Sequence, residues 1–201
     1  MSQLVNLLLS AAGVKAKQPL AEMTTLPEFD LMVCAIGQPL SLETHLPGQF
    51  PKWRRHVVAQ RVMEAIIQEE KLEFQHFKDC HIATWGRIGL VSCQTLMNDS
   101  GSAVKNLGVD SKKLLILHDD FNIPLGQIKT VSKATSRHNG VRDIAEKMGT
   151  PQLKCLKIGI GPKPSSIPMV NFVQGTFTEA EQMQINQCVA HVKMLLQEGL
   201  R

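Results

Sequence analysis

The chain of 201 residues has no tyrosine, two tryptophans and seven phenylalanines, so aromatic side chains make up only 4% of it. A surface that holds unpaired bases by stacking needs more rings than that, which argues against a single-strand binder of the stacking kind. Its five cysteines, Cys34, Cys80, Cys93, Cys155 and Cys188, are odd in number, widely spaced and without a C-x-x-C pair. That pattern speaks against a zinc ribbon and a disulfide framework and fits a reducing compartment. No apolar run approaches the roughly 20 residues of a membrane helix, and the first residues lack the basic and apolar series of a secretion signal. The expected location is therefore intracellular, cytoplasm or mitochondrial matrix, with no membrane partner. Leu7, Leu8, Leu9, Lys15 and Lys17, with no acid before Glu22, give slight support to a mitochondrial presequence; the absence of Arg there weakens it.

Familiar nucleotide and nucleophile signatures are missing too. Gly159-Ile160-Gly161 does not continue into G-x-G-x-x-G, and there is neither a Walker motif nor a G-x-S-x-G elbow. His76, Cys80 and His81 have metal-like spacing but no second cluster to complete a site. What remains is an ordinary globular composition, 43% apolar and 20% charged, with a net charge of +4 that permits a polyanionic partner.

Short apolar runs alternate with amphipathic stretches, which predicts an α/β protein: a single domain with a mixed, largely parallel twisted sheet flanked by helices. Residues 28–201 form that domain in this reading, and residues 1–27 an N-terminal extension. Strands are expected over 30–36, 81–85, 88–93, 114–117, 128–131 and 155–160. Helices are expected over 53–70, 100–107 and 139–147, and a last one runs from a Thr178/Glu181 capping box to Gly199.

The segment His118-Asp119-Asp120 sets two carboxylates directly after a buried strand, at a sheet edge, where α/β proteins carry working residues. Alternation along a strand points them to opposite faces, so they should do different jobs. Asn98 and Asn139 each precede or open a helix, where an N-cap is the plain explanation. From Lys129 to Lys163 eight basic residues stand against Asp143 and Glu146, a local charge of +6 that exceeds that of the whole chain.

Taken in order, Leu96-Met97-Asn98-Asp99-Ser100-Gly101, His118-Asp119-Asp120 with Pro124 and Gly126, His138-Asn139-Gly140, Lys157-Ile158-Gly159-Ile160-Gly161-Pro162 and the stretch from Phe172 to Glu181 resemble the bacterial-type peptidyl-tRNA hydrolase family. The resemblance covers roughly residues 30–201. It implies hydrolysis of the ester between peptide and tRNA, with His56 as general base and Asp119 orienting it. Gln38, Asn98 and Asn139 fall on the substrate-contacting positions. Histidine titrates near neutrality, a carboxylate fixes its tautomer, and amide donors stabilise an oxyanion without adding charge, so these residue types suit the reaction. The implied partner is peptidyl-tRNA, held at its acceptor end and along its phosphates, with Lys129, Lys133, Arg137 and Lys163 as candidate phosphate contacts. No cofactor and no metal is called for, and a monomer suffices.

The pattern departs from the family in four places. The G-N-P-G loop reads Gly37-Gln38-Pro39-Leu40, the interval from Gln38 to His56 is longer, the Asn after the catalytic His is Val57, and a glycine-rich run is replaced by residues 133–137. These keep an alternative in play, a catalytically weakened relative acting as an RNA-binding or scaffold protein.

Overall fold

A computed structural model of the chain describes residues 20–37, 53–133 and 138–198. A single seven-stranded sheet runs through it in the order β2-β3-β4-β1-β5-β7-β6. The strands are β1 (Leu31–Ala35), β2 (Gln75–Phe77), β3 (Cys80–Trp85), β4 (Ile88–Cys93), β5 (Leu114–Pro124), β6 (Ile128–Val131) and β7 (Lys154–Gly161). The expected mixed sheet flanked by helices is present, with three parallel and three antiparallel pairings where a largely parallel one was expected. Its parallel part is central, β4-β1-β5-β7, and the three edge pairings, β2 with β3, β3 with β4 and β6 with β7, are antiparallel. The near-continuous apolar runs of β1 and β4 explain their central place, since both faces of a parallel strand must be covered.

Among the described residues five helices cover the sheet: α1 (Val58–Glu69), α2 (Ser100–Asn106), α3 (Asn139–Lys147), α4 (Met169–Gln174) and α5 (Glu179–Glu198). On one face α1 packs Val58, Val62, Met63 and Ile66, and α5 packs Ile185, Val189 and Val192, against Val33, Leu117 and Ile158. On the other, Ala103 and Val104 of α2 and Val141 and Ile144 of α3 meet Cys34, Ile116 and Cys155. All five cysteines are buried and free. No helix among the described residues is long and apolar enough to cross a membrane.

Several boundaries moved, each for a physical reason. The helix expected from residue 53 begins as a 3-10 turn, Arg55–Val57, because Arg54 supplies no side-chain cap and its backbone is extended. β5 continues past residue 117 to Pro124, so Asp119 and Asp120 lie within the strand and not after it. Its polar continuation is paired with β7, at His118↔Lys157, Asp119↔Ile158 and Asp120↔Gly159. Neither asparagine is an N-cap: Asn98 sits inside the 3-10 turn Met97–Asp99, and Asn139 is the first residue of α3, after His138. Met23 donates its N–H to the carbonyl of His76, and His76 donates to that of Ala21, so residues 21–23 lie along the β2 edge of the sheet.

Candidate active site

The end of β1, the turn before α1 and the start of α3 meet over the middle of β5, around Asp119. β1 leaves the sheet at Gly37, where an added Cβ would lie 2.9 Å from the backbone oxygen of His56. The missing side chain lets the 3-10 turn Arg55–Val57 pass close against the end of β1, which brings His56 over the sheet. His56 Nδ1 lies 2.9 Å from Asp119 Oδ1 and 3.0 Å from Oδ2. From the opposite side, His138, the residue before α3, places Nε2 3.0 Å from the same Oδ1.

An ionised carboxylate can only accept, so both imidazoles carry their proton on the nitrogen that faces Asp119. In the neutral form of His56 the free nitrogen is then Nε2, the tautomer of a base. Burial alone would raise the Asp119 carboxyl; the imidazoles of His138 and His56 donating to it hold it well below the usual carboxylate range. It is 3% exposed, so the anion is sustained by these donors and not by water. The ligand-type atoms of His56, Asp119 and His138 lie within 4.8 Å of one another. A divalent ion seated among them would have to replace the hydrogens shared with Asp119.

A third imidazole lies beneath. His118 is fully buried, and its Nδ1–H donates to the backbone oxygen of Asp119 at 2.7 Å. Its ring is 5.0 Å from that of His138, which is in turn 4.9 Å from His56. Burial and the adjacent His138 push the His118 imidazole down to about 4. Unfolded, it would bind a proton from about pH 6.5. Its contribution to stability is therefore complete above about pH 6.5 and is lost as the pH falls to about 4, a change on the order of 3 kcal/mol. Thermal melts from pH 7.5 to 4 should show that decline. His118→Asn, whose amide can take over the bond to the carbonyl without titrating, should flatten it.

Asp120, on the other face of the strand, pairs with Lys157 at 2.9 Å and takes no part in the histidine cluster. The two carboxylates thus do different jobs, as alternation requires. The cluster opens into a cavity of about 510 Å³. Its polar lining includes His56, Asn98, Asp119, His138, Asn139 and Lys157, with Asp120, Asn122 and Gln174, and Leu96, Met97, Phe121, Met169, Val170 and Val173 make its apolar wall. Leu96 and Val170 are 64% and 65% exposed, a rim of bare apolar surface at the mouth.

The structure thus gathers His56, Asp119, Asn98 and Asn139 in one place. Gln38 and Arg137 lie outside the described residues. Lys129 is exposed and stands opposite Lys157 across β6 and β7, and Lys133 is exposed. Lys163 donates to the backbone oxygens of Pro164 and Ile167. Val57 is fully buried and lines no part of the cavity, so the position gives the site no polar contact. Sequence reasoning assigned no role to His138, although its H-N-G motif had been noticed, and it did not foresee Lys157 in the cavity or α4 as a wall.

A family model described as peptidyl-tRNA hydrolase matches residues 47–201. The peptidyl-tRNA hydrolase of Kosmotoga olearia is 41% identical over 93 residues, 43% of this chain and 49% of that one. That of Lactiplantibacillus plantarum is 35% identical over 137 residues, 63% of this chain and 74% of that one. The crystal structure of peptidyl-tRNA hydrolase from Acinetobacter baumannii superposes with a TM-score of 0.69 at 21% identity, covering 87% of this chain and 93% of that one, which shows a shared fold. Sequence match and fold agree over the segment that carries the histidine cluster, and the chain belongs to the peptidyl-tRNA hydrolase family.

Proposed function

We propose that this chain hydrolyses the ester joining a peptide to the terminal ribose of tRNA, with His56 as general base. The observation that carries the reading is the His56–Asp119 pair, 2.9 Å apart, at the floor of a cavity flanked by two asparagine amides. His56 Nε2 takes a proton from water while the oxygen attacks the ester carbonyl. Asp119 stabilises the imidazolium that forms, and the imidazolium returns the proton to the departing ribose oxygen. No covalent nucleophile is needed.

Asn139 has its Oδ1 engaged by Arg142 at 3.1 Å, which turns its NH2 group out as a donor. It and Asn98 are suited to the carbonyl oxygen as negative charge develops there. The apolar wall of Leu96, Met169, Val170 and Val173 suits the peptide side chain next to the ester. Gln38 belongs to the same substrate set by its place in the sequence. For the tRNA phosphates, Lys129 stands exposed opposite Lys157 and Lys133 is exposed four residues further on, with Arg137 another four along the sequence. Lys163 serves only when it releases its two carbonyls. Such a substrate exists where translation runs, which sets the compartment.

Product analysis tests the reaction. An N-acetyl-aminoacyl-tRNA should yield full-length tRNA that can be charged again and an acyl amino acid with a free carboxyl group. Shortened RNA would mean another reaction. Affinity should fall linearly in log–log form with salt, and Lys129→Ala should reduce the slope by about 1. Tight, salt-sensitive binding without any release would favour the weakened RNA-binding relative, the reading that buried Val57 supports.

A further inference from the structure

His56 is held on its own turn by very little. The turn Arg55–Val57 has no side-chain cap, and it is anchored instead by the segment between α4 and α5. Arg54 bridges Thr176, Arg55 donates its N–H to the carbonyl of Gly175 at 2.9 Å, and Phe177 donates to Trp53 at 2.8 Å. The side chain of Arg55 completes the joint. Its guanidinium carbon lies 4.8 Å from the ring centre of Phe172 and 4.7 Å from that of Phe177. Its Nη2 donates to both oxygens of Glu181, at 3.0 and 3.1 Å. Nη1 is buried and finds no hydrogen-bond partner among the described residues, so Glu181 is the acceptor on which this cation depends.

Glu181 is itself fixed. It accepts the N–H of Thr178 at 2.8 Å, while Thr178 Oγ1 accepts the N–H of Glu181 at 3.2 Å, which closes the capping box of α5. One carboxylate thus terminates the 20-residue C-terminal helix and grips the residue next to the base. Burial alone would raise the Glu181 carboxyl, and Thr178 and Arg55 together bring it below its ordinary value, which keeps the grip ionic.

We infer that Arg55 and Glu181 are a positioning pair for the reaction, setting the His56 imidazole against Asp119 from the first turn of α5. A general base displaced by about 1 Å loses on the order of 100-fold in rate, so a small slackening at Arg55 is felt as turnover and not as substrate affinity. Glu181→Gln is the discriminating variant, because glutamine still closes a capping box but no longer neutralises the guanidinium. Arg55→Lys keeps the charge and loses the planar stack.

The activity arm of the test rests on the hydrolase reading. A second arm does not: the His56 Nδ1 proton, followed by NMR on 15N-histidine-labelled protein, reports the bond to Asp119 directly. Both variants should stay folded with a melting temperature lowered by the lost ion pair or stack, keep KM within about twofold, lose roughly 10- to 100-fold in kcat, and show that proton broadened by exchange with water. A wild-type kcat, a loss confined to KM, an unchanged Nδ1 proton, or collapse of the fold in both variants would overturn the pair as a positioning device. If the wild type itself releases no tRNA, the hydrolase reading fails while the NMR arm still decides the pair.

Discussion

Replacing His56 with alanine should lower turnover by about 10²- to 10⁴-fold, the range for loss of a positioned general base. The effect on the fold should be small by comparison. Asp119 keeps the donor from His138 at 3.0 Å, so the buried carboxylate is not left bare. His56 itself is partly exposed at the cavity floor. Loss of one charged hydrogen bond of this kind costs about 1.5–3 kcal/mol. The variant should therefore remain folded, bind N-acetyl-aminoacyl-tRNA close to the wild-type affinity, and fail at the chemical step. A His56→Ala protein as active as wild type would place the base elsewhere.

Asp119→Asn should be as damaging to activity, by roughly 10³- to 10⁴-fold, for a different reason. The carboxylate accepts from two imidazoles at once, and an amide of the same size offers one acceptor oxygen and one donor nitrogen. Both rings meet Oδ1 and His56 also meets Oδ2, so in either orientation the amide nitrogen faces His56 Nδ1 and favours the opposite tautomer there. The proton then moves to Nε2 and the base is lost although every atom stays near its place. The substitution also has a signature in acid. Because the folded carboxyl is held well below its ordinary value, Asp119 contributes stability that is complete above about pH 4 and lost as the pH falls further. Asp119→Asn should remove that acid limb from the melting curve and leave the separate decline between pH 6.5 and 4 that belongs to His118. An unchanged acid limb would mean that the cluster does not sustain the anion.

How much of this was legible beforehand depends on whether the signal was local. α3 and the strands at 88–93 and 128–131 fell where expected, because apolar spacing and flanking breakers mark such elements within a few residues. The capping box at Thr178 and Glu181 was readable for the same reason, though its second use, the grip on Arg55, was not. β5 was cut short because Asp120 to Asn122 carry no apolar pattern, and only β7 explains why they stay extended. In the sequence the alternate glycines there carry part of the family resemblance but no sign of a structural role. A Cβ at Gly159 would stand 1.9 Å from the Pro124 oxygen, and one at Gly161 2.0 Å from that of Phe121. Those glycines let the polar end of β5 lie against β7. α4 escaped notice because six residues without a side-chain cap leave little periodicity to read. His138 belonged to a recognised motif, yet its bond to Asp119 is a fact of tertiary packing that spacing along the chain does not contain.

The departures from the family pattern take on different weights in the structure. Val57 packs its side chain wholly inside, so that site has exchanged a polar group for core volume. The histidine–carboxylate geometry is intact despite this, and the proposed mechanism rests on it.

The most direct measurement is the rate of tRNA release from N-acetyl-aminoacyl-tRNA under protein excess at pH 7.5. Release by the wild-type chain should run far above the spontaneous rate of ester hydrolysis and fall toward that rate in both His56→Ala and Asp119→Asn. Release at the spontaneous rate by a folded wild-type chain that binds the substrate would contradict the proposed hydrolysis.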